Sequence, residues 1–61
     1  MFHEKLRALR GKRTKQEVAD KIGVTLSAYV KYERGERVPR DEIKRKIAAL
    51  YKTTVDSIFF S

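Results

Sequence analysis

Side chains able to do covalent chemistry are scarce in this 61-residue chain. There is no cysteine, so thiol nucleophiles, thiolate metal ligands and disulfides are excluded, and a reducing compartment is the expected setting. The lone histidine, His3, has no second histidine and no carboxylate at ligand spacing, so it fits neither a metal site nor a general base. No glycine-rich phosphate loop, apolar-lined carboxylate pair or nucleophile triad is present, and no enzymatic activity, metal or cofactor is expected. Positive charge is abundant instead: 15 Lys and Arg against 8 Asp and Glu give a formal charge of +7. An excess of that size calls for a polyanionic partner, either nucleic acid or an anionic membrane surface.

The placement of the cations narrows the choice. Lys12 and Arg13 precede the segment that starts at Thr14, and Arg37 and Arg40 flank Pro39 just after Gly35. A solvated charge run is the ordinary alternative, but these four residues converge on the two ends of one segment, which favours phosphate contacts. The run Lys44, Arg45 and Lys46 has no such relation and fits a solvated face.

The elements that must hold these groups follow from apolar spacing. Phe2, Leu6 and Leu9 recur at i, i+4 and i+7, which predicts a helix over 2–10 ended by Gly11. Thr14 with Glu17 three residues on forms a capping-box pattern, so a second helix runs from Lys15 to Ile22 with Val18, Ala19 and Ile22 inward. Gly23 can take the left-handed conformation that ends it, and Thr25 can cap a third helix from Leu26 to Arg34, with Tyr29 and Tyr32 inward and Gly35 as stop. After a loop at 36–39, Asp41 and Glu42 favour a fourth helix start, and Ile43, Ile47 and Leu50 form its inner stripe. Thr54 caps a short fifth helix carrying Val55, Ile58 and Phe59. The expected fold is all-α: one compact five-helix domain over 1–61. No window is apolar and long enough for a transmembrane helix, and no signal peptide pattern opens the chain, so a soluble cytoplasmic protein is expected.

Two helices joined by a tight glycine turn can hold the second helix proud of the domain. Counting Lys15 as the first of twenty positions, small Ala19 is fifth and Gly23 ninth, with Val18, Ile22, Val24, Tyr29 and Tyr32 at the apolar positions. Ala19 must be small where the third helix crosses the second. Gly23 must accept a conformation that costs other residues about 1 kcal/mol or more.

The run "TKQEVADKIGVTLSAYVKYERGERVP", followed by "VDSIFF", resembles the Xre-type, lambda-repressor-like family of helix-turn-helix regulators. The resemblance covers nearly the whole chain and implies five helices, double-stranded DNA as partner, and a two-fold homodimer on a pseudo-palindromic operator. It places Thr25, Leu26, Ser27 and Lys31 at base-facing positions, with Ala28 and Arg34 near the sugar-phosphate rails. The family's first helix-2 residue, usually Gln, contacts a phosphate and braces a base contact. Here Lys15 stands there, followed by Gln16, which could restore the amide bridge only if the helix began one residue later. The resemblance also implies an ion pair between Arg10 and Glu33.

Chemistry assigns roles within that surface. Leu26 and Val30 could contact thymine methyls, or could shield core or a protein partner. Lys31 could bond guanine O6 and N7 or clamp a phosphate, and Ser27 can bond several bases with little selectivity. Tyr29, Tyr32 and Tyr51 could suggest stacking on single-stranded bases, but Tyr29 and Tyr32 occupy core positions of the motif. Phe59 and Phe60 are consecutive and cannot both point inward, so Ile58, Phe59 and Phe60 are the candidates for a dimer seam. The expected function is a sequence-specific transcriptional repressor at nucleoid DNA. The rivals are a protein-interaction module using Leu26 and Val30, an RNA binder, and a membrane-surface peptide.

Overall fold

The computed structural model describes residues 1–60 and shows, among them, five helices and no strand. These are α1 (Phe2–Arg10), α2 (Lys15–Ile22), α3 (Leu26–Arg34), α4 (Asp41–Leu50) and α5 (Val55–Phe59). Three start on a threonine whose hydroxyl takes up an orphan backbone N–H. Thr14 accepts from Glu17, Thr25 from Ala28 and Thr54 from Ser57, each at 3.1 Å. At α2 the box is closed in both directions, because the Thr14 N–H donates to Glu17 Oε1 at 2.9 Å. That backbone donor holds the Glu17 carboxyl below its ordinary range. Helix α4 starts without a side-chain cap, on acidic Asp41 and Glu42 in its first turn, where negative charge meets the positive end of the helix dipole.

The helix ends are equally local. Gly23 and Gly35 adopt φ of 74° and 75°, the left-handed geometry that lets the following N–H groups fold back onto the last carbonyls. At α4 a lysine does the same: Lys52 sits at φ 55°, its N–H donating to the Ala49 carbonyl and that of Thr53 to Ala48.

Helix α3 packs on α1 and α2, α4 packs on α2 and α5, and α5 closes back on α1. The shared core is Leu6, Val18, Ala19, Ile22, Tyr29, Tyr32, Ile43, Ile47 and Ile58, with Phe2, Leu9, Val24, Leu50 and Phe59 packed around it. Lys44 departs from the solvated role expected of it. Helix α5 folds over that side of α4, leaving the Lys44 side chain 13% exposed, with its ammonium 3.9 Å from Asp41 Oδ1. The ammonium also lies 5.3 and 5.1 Å from the Phe59 and Phe60 ring centroids, so its stem is covered while its charge is met by ring faces and a carboxylate. No helix among the described residues is long and apolar enough to cross a membrane.

Candidate nucleic-acid interface

The α2–α3 pair makes the site. Ala19 is fully buried where the two helices meet, and Gly23 turns the chain within three residues, so α3 leaves the pair at a fixed angle. Helix α3 then divides by its 3.6-residue period. Tyr29, Tyr32 and Glu33 are buried, Ala28 and Val30 are half-buried, and Leu26, Ser27, Lys31 and Arg34 are exposed. Thr25 is exposed too, but its hydroxyl is committed to the helix cap. The outer ridge thus carries one apolar side chain, one hydroxyl and two cations, a set that can touch methyl groups, bond base edges and meet phosphate.

What fixes the ridge lies beneath it. Glu33 is 3% exposed, yet ionised carboxylates are seldom buried without partners. Its Oε2 accepts from Arg10 Nε at 2.7 Å and its Oε1 from Arg10 Nη2 at 3.2 Å, a two-bond fork from α1. The Tyr29 hydroxyl donates to the same carboxylate, and the Arg7 guanidinium donates to the Glu33 backbone carbonyl. The bond to Glu33 pushes the Arg10 guanidinium further up in pKa, and burial, reinforced by Glu33, pushes the Tyr29 phenol well above its ordinary range. Both groups therefore stay in the state the network needs.

Cations stand at both ends of the ridge. Lys12, Arg13 and Lys15 are exposed along the α1–α2 link and the first turn of α2. Arg37 and Arg40 line a cleft of about 360 Å³ together with Thr25 and Ala28, which brings the α3–α4 loop against the amino end of α3. Glu42 adds one carboxylate to that cleft. Arg34 lies 4.0 Å from Glu36 and is partly neutralised.

Two expectations need correction. Helix α2 begins at Lys15, and the Gln16 amide donates to Asp20 Oδ1 at 2.8 Å along the same helix, so Gln16 does not restore an amide bridge toward α3. Ile58 is only 2% exposed, because the α5 face that carries it is pressed into the core. It anchors α5 and offers no surface to a partner. Phe59 is half-buried, its ring centroid 5.4 Å from that of Phe2, whereas Phe60 is 69% exposed.

Sequence reasoning passed over Val38, which is 59% exposed beside Arg37. It weighed Tyr51 only for base stacking, whereas the ring faces Arg13 at 5.5 Å. A loop valine between two arginines is a legible signal. The Tyr51 contact spans 38 residues and leaves none.

A tight glycine turn, a second helix pinned from below and an open outer ridge flanked by cations define a helix-turn-helix domain. The chain belongs to the helix-turn-helix family, whose profile matches residues 4–58. It is 39% identical over 46 residues to the cryptic phage CTXphi transcriptional repressor RstR of Vibrio cholerae serotype O1, a match covering 75% of this chain and 41% of that protein. A second protein of that name from Vibrio cholerae is 42% identical over 53 residues, covering 84% of this chain and 48% of the relative. The chain therefore spans about half the length of these relatives. No solved structure matches it significantly.

Proposed function

We propose that this chain is a sequence-specific duplex-DNA-binding unit of a transcriptional repressor that lays α3 in the major groove. The observation that carries this reading is the outer ridge of α3. Leu26, Ser27 and Lys31 are exposed on a helix whose inner face is tied down by Glu33, with Lys12, Arg13, Lys15, Arg37 and Arg40 at its two ends. Leu26 meets thymine methyls, Lys31 bonds a base edge and Ser27 adds an adaptable contact, while the flanking cations take backbone phosphates and set the register. The similarity to phage repressors supports the regulatory assignment. Repression needs only that the operator be occupied. Its setting is the cytoplasm, at nucleoid DNA, and no catalytic step is involved.

The unit works as a homodimer. Phe60 and Met1 are 69% and 80% exposed, and the Phe2 and Phe59 rings pack in a tilted pair with centroids 5.4 Å apart. A two-fold seam there would set two α3 helices about 34 Å apart, one helical turn of B-DNA, on a pseudo-palindromic site.

Selection from a random duplex library tests both statements. The expected result is an enriched site with two related half-sites, each containing A·T pairs beside a guanine. Recovery of no sequence above background would remove sequence-specific binding, and a single half-site would remove the dimer. A protein-interaction role is the second reading, favoured by Leu26 and Val38 at 41% and 59% exposure. It would leave random and selected duplexes bound equally weakly.

A further inference from the structure

Arg13 lies in the exposed link between α1 and α2, where a long cationic side chain ordinarily samples many rotamers. Here its backbone is held at two points and its side chain at one. Its N–H donates to the Arg10 carbonyl at 3.1 Å, and its own carbonyl accepts from Arg10 Nη1 at 2.9 Å. Its guanidinium carbon lies over the Tyr51 ring, 5.5 Å from the centroid.

Tyr51 is half-buried at the end of α4, and its buried hydroxyl faces Tyr29 and the Glu33 carboxylate. The ring face has a partner, the Arg13 guanidinium, and burial raises the phenol's pKa so that the ring stays neutral.

We propose that Tyr51 is a positioning residue for phosphate binding: its ring holds the Arg13 guanidinium beside the first turn of α2, ready to take a DNA backbone phosphate. This rests on the DNA-binding reading. Contact with a ring face engages the cation's charge through the ring quadrupole and leaves the in-plane N–H donors available for a phosphate fork. No carboxylate among the described residues lies within ion-pair distance of Arg13, whereas Arg10 and Arg34 are both paired. Glu17 lies near enough to feel its charge but forms no ion pair with it, and the freedom of Arg13 is already restricted before DNA arrives, which lowers the cost of ordering it on binding. The same clamp residue, Arg10, fixes both the backbone of Arg13 and the carboxylate beneath α3, so the phosphate contact and the base-facing ridge share one frame.

Two measurements decide it. In proton NMR of the free chain, the Arg13 δ-methylene resonances should lie upfield of those of a free arginine, shifted by the Tyr51 ring current. Unshifted resonances overturn the proposal. In a double-mutant cycle on random-sequence duplex across a salt series, Tyr51→Phe should bind like the wild type. Tyr51→Leu should bind about 2–5-fold more weakly. Arg13→Ala should lower the salt slope by about one, and adding Tyr51→Leu to it should cause no further loss. An equal loss from Tyr51→Leu in both backgrounds would show a merely structural role and overturn the proposal. If Tyr51→Leu does not fold, Tyr51→Met takes its place in the cycle with the same two outcomes. Shifted Arg13 resonances in a chain without affinity for DNA would overturn the DNA reading, and with it the role of Tyr51, while leaving the ring contact standing.

Discussion

Arg10 and Glu33, 23 residues apart, form a two-bond fork at 2.7 and 3.2 Å in which the carboxylate is almost wholly buried and the guanidinium is 20% exposed. The pair joins the end of α1 to the end of α3. Its consequence is directional: α3 cannot rotate about its own axis without breaking bonds to a charge that has no access to water.

Removing one partner of such a pair leaves the other buried and uncompensated, which costs about 3–5 kcal/mol. A domain of this length has a total stability of only about 3–9 kcal/mol. Arg10→Ala should therefore lower the thermal midpoint drastically or leave the chain unfolded. Combining it with Glu33→Gln should recover part of the loss, since the amide carries no charge to strand. Melting curves check this, and a double variant no more stable than Arg10→Ala would show that the buried charge is not the cause.

Tyr29 gives the domain an alkaline limit. Its folded-state pKa is raised, so above an unfolded value of about 10 the unfolded chain loses a proton that the folded chain keeps, and stability falls as pH rises. The Tyr29 contribution is fully present below that value and declines above it. Tyr29→Phe should cost about 1–3 kcal/mol at neutral pH through the lost bond to Glu33. It should also flatten the decline above pH 10, because phenylalanine has no proton to lose. Urea midpoints of the two proteins at neutral and alkaline pH test this, and parallel pH profiles would contradict it.

The end of α4 holds a correctable strain. Lys52 takes a left-handed φ of 55° that glycine accepts without a Cβ penalty. Lys52→Gly should stabilise the domain by about 0.5–1 kcal/mol, seen as a higher urea midpoint at unchanged slope. A fall in stability would mean that the lysine side chain contributes more than its backbone costs.

Base-facing and phosphate-facing residues should separate in binding. Lys31→Ala and Leu26→Ala should change which sequences are preferred, Lys31→Ala by about 1–3 kcal/mol of discrimination. Lys15→Ala should weaken binding to all duplexes alike and lower the salt slope by about one. Site selection and salt titrations on the three variants would refute this division if every substitution merely scaled affinity.

Much of this was legible in the chain because the signals are local. Thr14 and Glu17 are three residues apart, the caps Thr25 and Thr54 stand beside the turns they close, and Gly23 and Gly35 bound α3. The pairing of Arg10 with Glu33 was expected through family resemblance, since nothing in the local sequence links residues that far apart. Lys44 and Ile58 show the limit. Lysine on the flank of an amphipathic helix is ordinarily solvated, and only the return of α5 over α4 turns its stem inward. The same packing takes Ile58 out of contention as a docking residue, although its side chain alone suits one.

The sequence by itself determined the five helices, the threonine caps of α2, α3 and α5, the glycine stops of α1, α2 and α3 and the inward turn of Tyr29 and Tyr32, because capping hydrogen bonds and a 3.6-residue apolar period depend only on near neighbours. Tertiary structure alone decided which cations are neutralised and which stay available. Lys44 falls beneath two phenylalanines and Arg13 onto the ring of Tyr51. Charge is a property of the residue, but its availability depends on distances between elements, and those are set when the helices pack.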